Sequence, residues 1–343
     1  MRLDQLTFTR FLAAASIVVF HYGHDTFLFT NAILAPIFSQ ANIGVSYFFL
    51  LSGFVMVVAN YKKDMKVKEF YLNRIARIYP LYLLALLLVI IFNVANGIAI
   101  NKSEVFLSVF ALQAWIPRYP LTLNFPGWSL SIEMFFYAVF PYLLLLIYRR
   151  YTLKQWAPWA IVLWLGSLLG LEIGRRVLPQ FIPSIAMDLL YYHPFMHLNV
   201  FVAGNLAGYL FFKFSDSVNI KWNGLVLVLL VALLYLLLRC NLPICYHDGF
   251  LAIVFLPAVI LLALNKGAGA KLLNLPILVF LGDISYGIYI LQVPVHLFCL
   301  KLFSYYQLPL NFYAYFCLLV FFSAASYLFV EKPLRVKIAS LGR

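Results

Sequence analysis

Ten apolar stretches follow one another along this chain: 7–23, 43–60, 78–98, 128–148, 157–173, 195–212, 223–239, 249–265, 277–299 and 310–330. Most hold about the 20 residues that an α-helix needs to cross a bilayer. A chain with this pattern buries its backbone polar groups in helices or not at all, because lipid offers them no partner. The expected fold class is therefore all-α: a polytopic membrane protein of about ten transmembrane helices. A further apolar piece at 104–115 reads as a re-entrant or interfacial helix.

Composition agrees. Of 343 residues, 64% are hydrophobic and 11% charged, against roughly 25% charged in soluble domains. No polar block is long enough to form a second unit, so residues 1–343 read as one transmembrane domain with no appended soluble domain. The run at 11–20 has the length of a signal-peptide core. It lacks a small-residue cleavage site after it, so it is expected to remain as the first helix. The net charge of +13 does not indicate nucleic acid, since the basic residues sit in short loops and not on a module with its own core.

Those loops set an orientation. With a cytoplasmic N-terminus and ten alternating helices, eighteen Lys and Arg fall inside and six outside, with Arg10 in the first helix. The positive-inside rule then places both termini in the cytoplasm, and the protein is expected to be multi-pass in the plasma (inner) membrane. The cysteines Cys240, Cys245, Cys299 and Cys317 show no metal spacing. They read as buried apolar residues, with a Cys240–Cys245 disulfide as an alternative.

Ionisable groups inside apolar helices are costly and mark function. Arg10 and His21 are eleven residues apart, about 20° past three full helical turns, so they share one face of the first helix about 16 Å apart along its axis. Arg74 and Arg77 are neighbours on a helix face at the inner boundary and suit phosphate; ordinary anchoring is the alternative. Glu133 lies inside an apolar helix and needs a partner, which an Arg or a His would provide. His193 and His197 stand at i,i+4, but no carboxylate completes a metal site around them. His24 and Asp25, just outside the first helix, read as part of a site entrance or as loop, His296 as structural, and Asp283 with Ser285 as a helix start. Trp115, Trp128, Tyr191 and Tyr192 read as interfacial aromatics or as platforms for a sugar ring.

The motifs RFLAAASIVVFH (10–21), GVSYFFLLSGFVM (44–56), RIARIYPLY (74–82), WSLSIEMFFY (128–137), LGDISYGIYILQVPV (281–295) and FVEKPLR (329–335), in this order, resemble the acyltransferase-3 family of membrane O-acyltransferases. The resemblance implies that His21 is the catalytic histidine, as general base or transient acyl carrier, with Arg10 and Glu133 in the same centre and Glu133 orienting the imidazole. It implies that Arg74 and Arg77 bind the acyl donor, acetyl-CoA or another acyl-CoA, as co-substrate, with no permanently bound cofactor and no metal. Ser52, Tyr79, Trp128, Ser129 and Tyr286 take supporting roles. The acceptor it implies is a hydroxyl of a cell-surface or lipid-linked glycan, and the acyl group acetyl. Membrane lipids complete the partners, and self-association into a homo-oligomer is left open. One departure stands out: the family's late Tyr-Leu-x-His pattern gives way here to Gln292 after Ile290 and Leu291. The alternatives are a transporter or flippase of acylated or lipid-linked glycan, a membrane sensor without chemistry, and acyl transfer on an unrelated fold.

Overall fold

A computed structural model of the protein describes residues 3–215, 223–240 and 242–341. The basic residues Arg2, Lys221 and Arg343 of the charge argument lie outside these. Among the described residues there is no strand. The principal helices are α1 (Thr7–Tyr22), α2 (Gly44–Asn60), α3 (Val67–Ala95), α4 (Gly127–Tyr142), α5 (Leu153–Phe181), α6 (Leu198–Phe214), α7 (Asn223–Cys240), α8 (Ala252–Leu264), α9 (Pro276–Asp283), α10 (Ser285–Ile290), α11 (Gln292–Tyr305), α12 (Phe312–Ser326) and α13 (Lys332–Ser340). Short helical turns fill the connections.

Every one of the ten apolar stretches is helical, but they are not ten equal spans. Six helices are long and apolar enough to cross a bilayer on length and composition, and a seventh span forms if the bent pair α9–α10 and α11 is counted as one. α1, with 16 residues, and α8, with 13, fall short of a full crossing, and α7 is only marginally longer. The piece expected at 104–115 is a short helix, Lys102–Val109, capped by the Asn101 side chain at Ser103 N (2.9 Å), followed by a turn at Gln113–Trp115.

α2 is the centre of the bundle: 72% of its apolar window is buried, against 6% for α5. The exposed faces elsewhere are apolar, as at Trp159, Phe181 and Phe329, which suits lipid and not water. α2 packs most extensively on α6, and small residues make this possible. A Cβ on Gly204 would lie 2.0 Å from the Leu50 carbonyl oxygen, and one on Gly53 would lie 2.3 Å from that of Phe201. The Gly204-x-x-x-Gly208 spacing thus brings two backbones together, the device by which membrane helices replace the missing hydrophobic drive with van der Waals contact. A second close approach ties α1 to α9, where a Cβ on Gly282 would lie 2.0 Å from Thr7 O.

The sharpest bend, 70°, lies between α10 and α11. Pro294 explains it. Proline has no N–H to give the carbonyl four residues back, and its ring clashes there. The Ile290 carbonyl, so deprived, accepts instead from Asn124 Nδ2 at 3.0 Å. That bond holds the connection ahead of α4 against the break.

The α2–α6 contact gives a direct expectation. Gly204→Leu places side-chain atoms on the Leu50 backbone and should lower the midpoint of thermal unfolding in detergent, at a cost of about 1–3 kcal/mol. Gly170→Leu, where a Cβ meets nothing within 4 Å, should leave it unchanged. Equal stability of the two variants, measured by scanning fluorimetry, would disprove the close-packed seam.

Candidate active site

α1, α2, α3, α4, α9, α10 and α13 enclose a cavity of about 760 Å³. Its wall carries five cations, Arg10, Arg74, Arg77, Lys332 and Arg335, and three carboxylates, Glu133, Asp283 and Glu331. Ser52, Ser129, Ser285, Tyr137, Tyr286 and Tyr289 also face it. Each cation comes from a local reason. Arg10 occupies the first turn of α1, Arg74 and Arg77 are one turn apart on α3, and Lys332 opens α13.

Glu133 lies at the meeting point. Ser52 Oγ donates to its Oε1 at 3.3 Å, and the Tyr137 hydroxyl donates to the same oxygen. Arg10 and Arg74 are both within electrostatic reach of Glu133, and of Arg77. Arg74 stacks over the Phe70 and Tyr137 rings at 5.4 and 5.7 Å, and its Nε has no hydrogen-bond partner among the described residues. No salt bridge ties Arg10, Arg74 or Arg77 to a carboxylate among the described residues. Such guanidinium forks, held in an apolar bundle and not closed on a carboxylate, are strong sites for a phosphate or carboxylate ligand.

The expected supporting residues divide. Ser52, Ser129 and Tyr286 line the cavity, and Tyr286 Oη donates to Ile78 O at 2.8 Å, tying α10 to α3. Tyr79 is half-buried with its ring against Tyr82 and does not line the cavity. Trp128 is buried, with its ring on those of Phe49, Tyr192, His197 and His247. It is therefore closed to a sugar. Trp115 packs on Phe135, His193 and Phe195.

His21 is at the other end of α1 from Arg10, in the last turn. It faces protein, with the Phe125 ring 4.8 Å from its own. The expected contact with Glu133 is not formed. Glu133 sits with Arg10, and the length of α1 keeps the imidazole about 16 Å from that end. Its partner is Gln292, whose Oε1 lies 2.7 Å from Nδ1. The amide orientation is fixed by Gln292 Nε2, which lies 2.6 Å from the Tyr289 carbonyl. A carbonyl only accepts, so the amide nitrogen must face it and the amide oxygen must face the imidazole. Nδ1 therefore carries the proton and donates, and Nε2 keeps its lone pair. Gln292 is fully buried and begins α11 just past the break, so the same Pro294 bend that recruits Asn124 also aims this amide. Tyr289 links the two ends: its carbonyl holds Gln292, while its hydroxyl pairs with Ser129 Oγ at 2.9 Å in the cavity wall.

Gln292 was legible only as a departure from a motif, but a glutamine two residues before a proline in an apolar helix was a signal of a buried polar role. His296 packs its ring on Tyr22 at 4.2 Å and edge-on against Tyr315 at 5.1 Å, a structural position. All four cysteines are free; Cys245 is buried and Cys240 exposed.

Comparison with known proteins matches this architecture to one family. The acyltransferase domain model covers residues 3–331, and the chain belongs to that acyltransferase family. Relatives include acyltransferase MdmB of Streptomyces mycarofaciens, 36% identical over 151 residues, covering 41% of this chain and 39% of the relative. A provisionally named O-acetyltransferase of Staphylococcus aureus (strain COL) is 26% identical over 328 residues, covering 85% of this chain and 52% of that protein. A provisionally named acetyltransferase of Acidianus two-tailed virus is 28% identical over 297 residues, covering 84% and 81%. The chain thus spans about half the length, or less, of the first two. No solved structure matches it.

The His21–Gln292 bond predicts a positioning effect. Gln292→Leu removes the bond to His21 together with the one to the Tyr289 carbonyl. Loss of the imidazole's bond, worth about 1 kcal/mol, should lower kcat for acyl transfer about fivefold while leaving the donor KM within twofold. A raised donor KM with unchanged kcat would contradict the assignment.

Proposed function

We propose that this protein is a membrane O-acyltransferase that moves an acyl group, acetyl being the first to test, from acyl-CoA to a hydroxyl of a cell-surface or lipid-linked glycan. The observation that carries the reading is the cavity in which Arg10, Arg74 and Arg77 converge with no salt bridge of their own among the described residues, on the same bundle that presents a proton-accepting His21. The family membership and the names of the relatives support it.

In this account the six or seven long spans are completed by the shorter helices, α1 and α8 among them, to ten passages through the plasma membrane, with both termini in the cytoplasm. The cationic cavity then opens where acyl-CoA is made. The guanidinium groups hold the donor's phosphates, and its flexible arm carries the thioester along α1 toward His21. The His21 Nε2 lone pair takes the proton of the acceptor hydroxyl. The oxygen attacks the thioester carbonyl, the C–S bond breaks, and the coenzyme leaves as a thiolate that takes up a proton. Glu133 acts within the arginine cluster, where it keeps the guanidinium groups apart and in register. Gln292 holds the imidazole in the tautomer that the step requires.

Membranes carrying the protein should transfer label from radiolabelled acetyl-CoA to a glycan fraction, identified by mass spectrometry. His21→Ala should lower transfer at least ~100-fold, the lower range for a general base, with the protein level unchanged. The Arg74→Ala/Arg77→Ala double variant should raise the donor KM about tenfold or more, as expected for loss of charge-assisted contacts of roughly 1.5–3 kcal/mol each. Activity that survives His21→Ala, or a double variant that alters only the acceptor dependence, would refute the assigned roles.

A further inference from the structure

A second polar cluster lies apart from the cavity, at the end of the bundle where α1 finishes and α2, α4 and α6 begin. His197 stands just before α6, and His247 and Asp248 lie on the tight segment Tyr246–Phe250 ahead of α8. Their exposures are 0%, 8% and 2%. One ligand atom from each lies within 4.8 Å of the others.

The hydrogen bonds around the cluster are complete, and those within it are not. His197 Nε2 lies 2.9 Å from the Tyr191 carbonyl, which only accepts, so Nε2 carries the proton and Nδ1 a lone pair. A backbone bond to Asn42 occupies His247 in the same way, and its Nδ1 has no partner. The segment itself is pinned: Asn199 Nδ2 donates to Asp248 O at 3.0 Å, Trp164 Nε1 to Gly249 O at 2.8 Å, and Ser46 Oγ to His247 O. Gly249 turns the chain at φ +105°, where a Cβ would strike Val200 at 2.7 Å. Yet His197 Nδ1, His247 Nδ1 and Asp248 Oδ1 all lack hydrogen-bond partners among the described residues, although His197 Nδ1 is only 3.3 Å from that oxygen. Three buried acceptors that face one another repel, and a cation relieves this.

We propose that His197, His247 and Asp248 bind a divalent transition-metal ion of the zinc type. Two imidazoles that donate one N–H to protein carbonyls and turn the other nitrogen to a carboxylate form the usual surroundings of such an ion. An ion about 2.1 Å from each donor needs ligand atoms roughly 3.4 Å apart, so the side chains close by about an ångström. The Asp248 carboxylate offsets half the ionic charge. The ion clamps the Tyr246–Phe250 segment to the start of α6, behind the Phe49 and Trp128 rings that pack on His197. Phe49 also lines the arginine cavity, so the clamp braces that wall. Sequence spacing pairs His193 with His197; in the structure His193 packs on Trp115 and Phe195 instead, and the missing carboxylate comes from residue 248.

The full chain, purified in detergent without affinity metals, should carry about one zinc per molecule by elemental mass spectrometry. After chelation and reloading with Co2+ it should show the visible bands of a tetrahedral site. His247→Gln/Asp248→Asn should lower metal affinity at least ~10-fold, and His193→Gln should retain the ion. A wild-type protein that holds no stoichiometric metal and gives no Co2+ bands overturns the site, leaving a proton shared between Asp248 and His197. Metal held equally by wild type and the double variant overturns it as well. The wild-type stoichiometry and spectrum decide the matter even if the double variant does not fold.

Discussion

Guanidinium groups cannot give up their protons inside a protein, so a membrane bundle that lines one cavity with Arg10, Arg74, Arg77, Lys332 and Arg335 against Glu133, Asp283 and Glu331 must manage a surplus of positive charge. The bundle does so by building a cavity: among the described residues no salt bridge closes on Arg10, Arg74 or Arg77. Half-buried guanidinium groups that outnumber the carboxylates beside them are prepared for an anion from outside. The rest of the interior follows from holding these groups in place. α2 is forced to the centre by its glycine seam with α6, α1 is drawn against α9 at Gly282, and α3 delivers two arginines from one face.

The second organising feature is the broken helix at Leu291. One proline leaves one carbonyl without its donor, and that carbonyl takes Asn124. The same break sets Gln292 against the His21 imidazole and against the Tyr289 carbonyl. A backbone defect far along the chain thereby fixes the tautomer of a histidine in the first helix. Irregular backbone at membrane depth is tolerated where it is buried in protein, and here it gives the imidazole its orientation.

Much of the fold was legible because lipid imposes simple rules. Apolar runs of the right length are all helical in the structure, and the Arg10–His21 stripe does face protein. The same helical arithmetic that placed both residues on one face also set them about 16 Å apart, which rules out a Glu133 that touches both. The carboxylate went to the arginines because charge attracts charge more strongly than it attracts a neutral ring. What the sequence could not display was pairing across long separations. Gln292 meets His21 from 271 residues away, and His197 meets His247 and Asp248 from about fifty. No periodicity encodes such contacts. The only trace of each was a polar residue in an apolar context, and for His197 the nearer His193 was a decoy. Trp128 and Tyr79 belong to motifs yet do not line the cavity, so motif membership alone did not tell which side chains face it.

The central claim is that one elongated anionic donor bridges the arginine cavity and His21. The most direct measurement is a cryo-electron microscopy structure of the protein in nanodiscs with a non-reactive thioether analogue of acetyl-CoA. The account predicts phosphate density within hydrogen-bond distance of Arg10, Arg74 or Arg77, and the thioether sulfur close to the His21 Nε2 that Gln292 leaves free. Density for the analogue outside this cavity, or a thioether that ends beside Glu133 with His21 uninvolved, would contradict it.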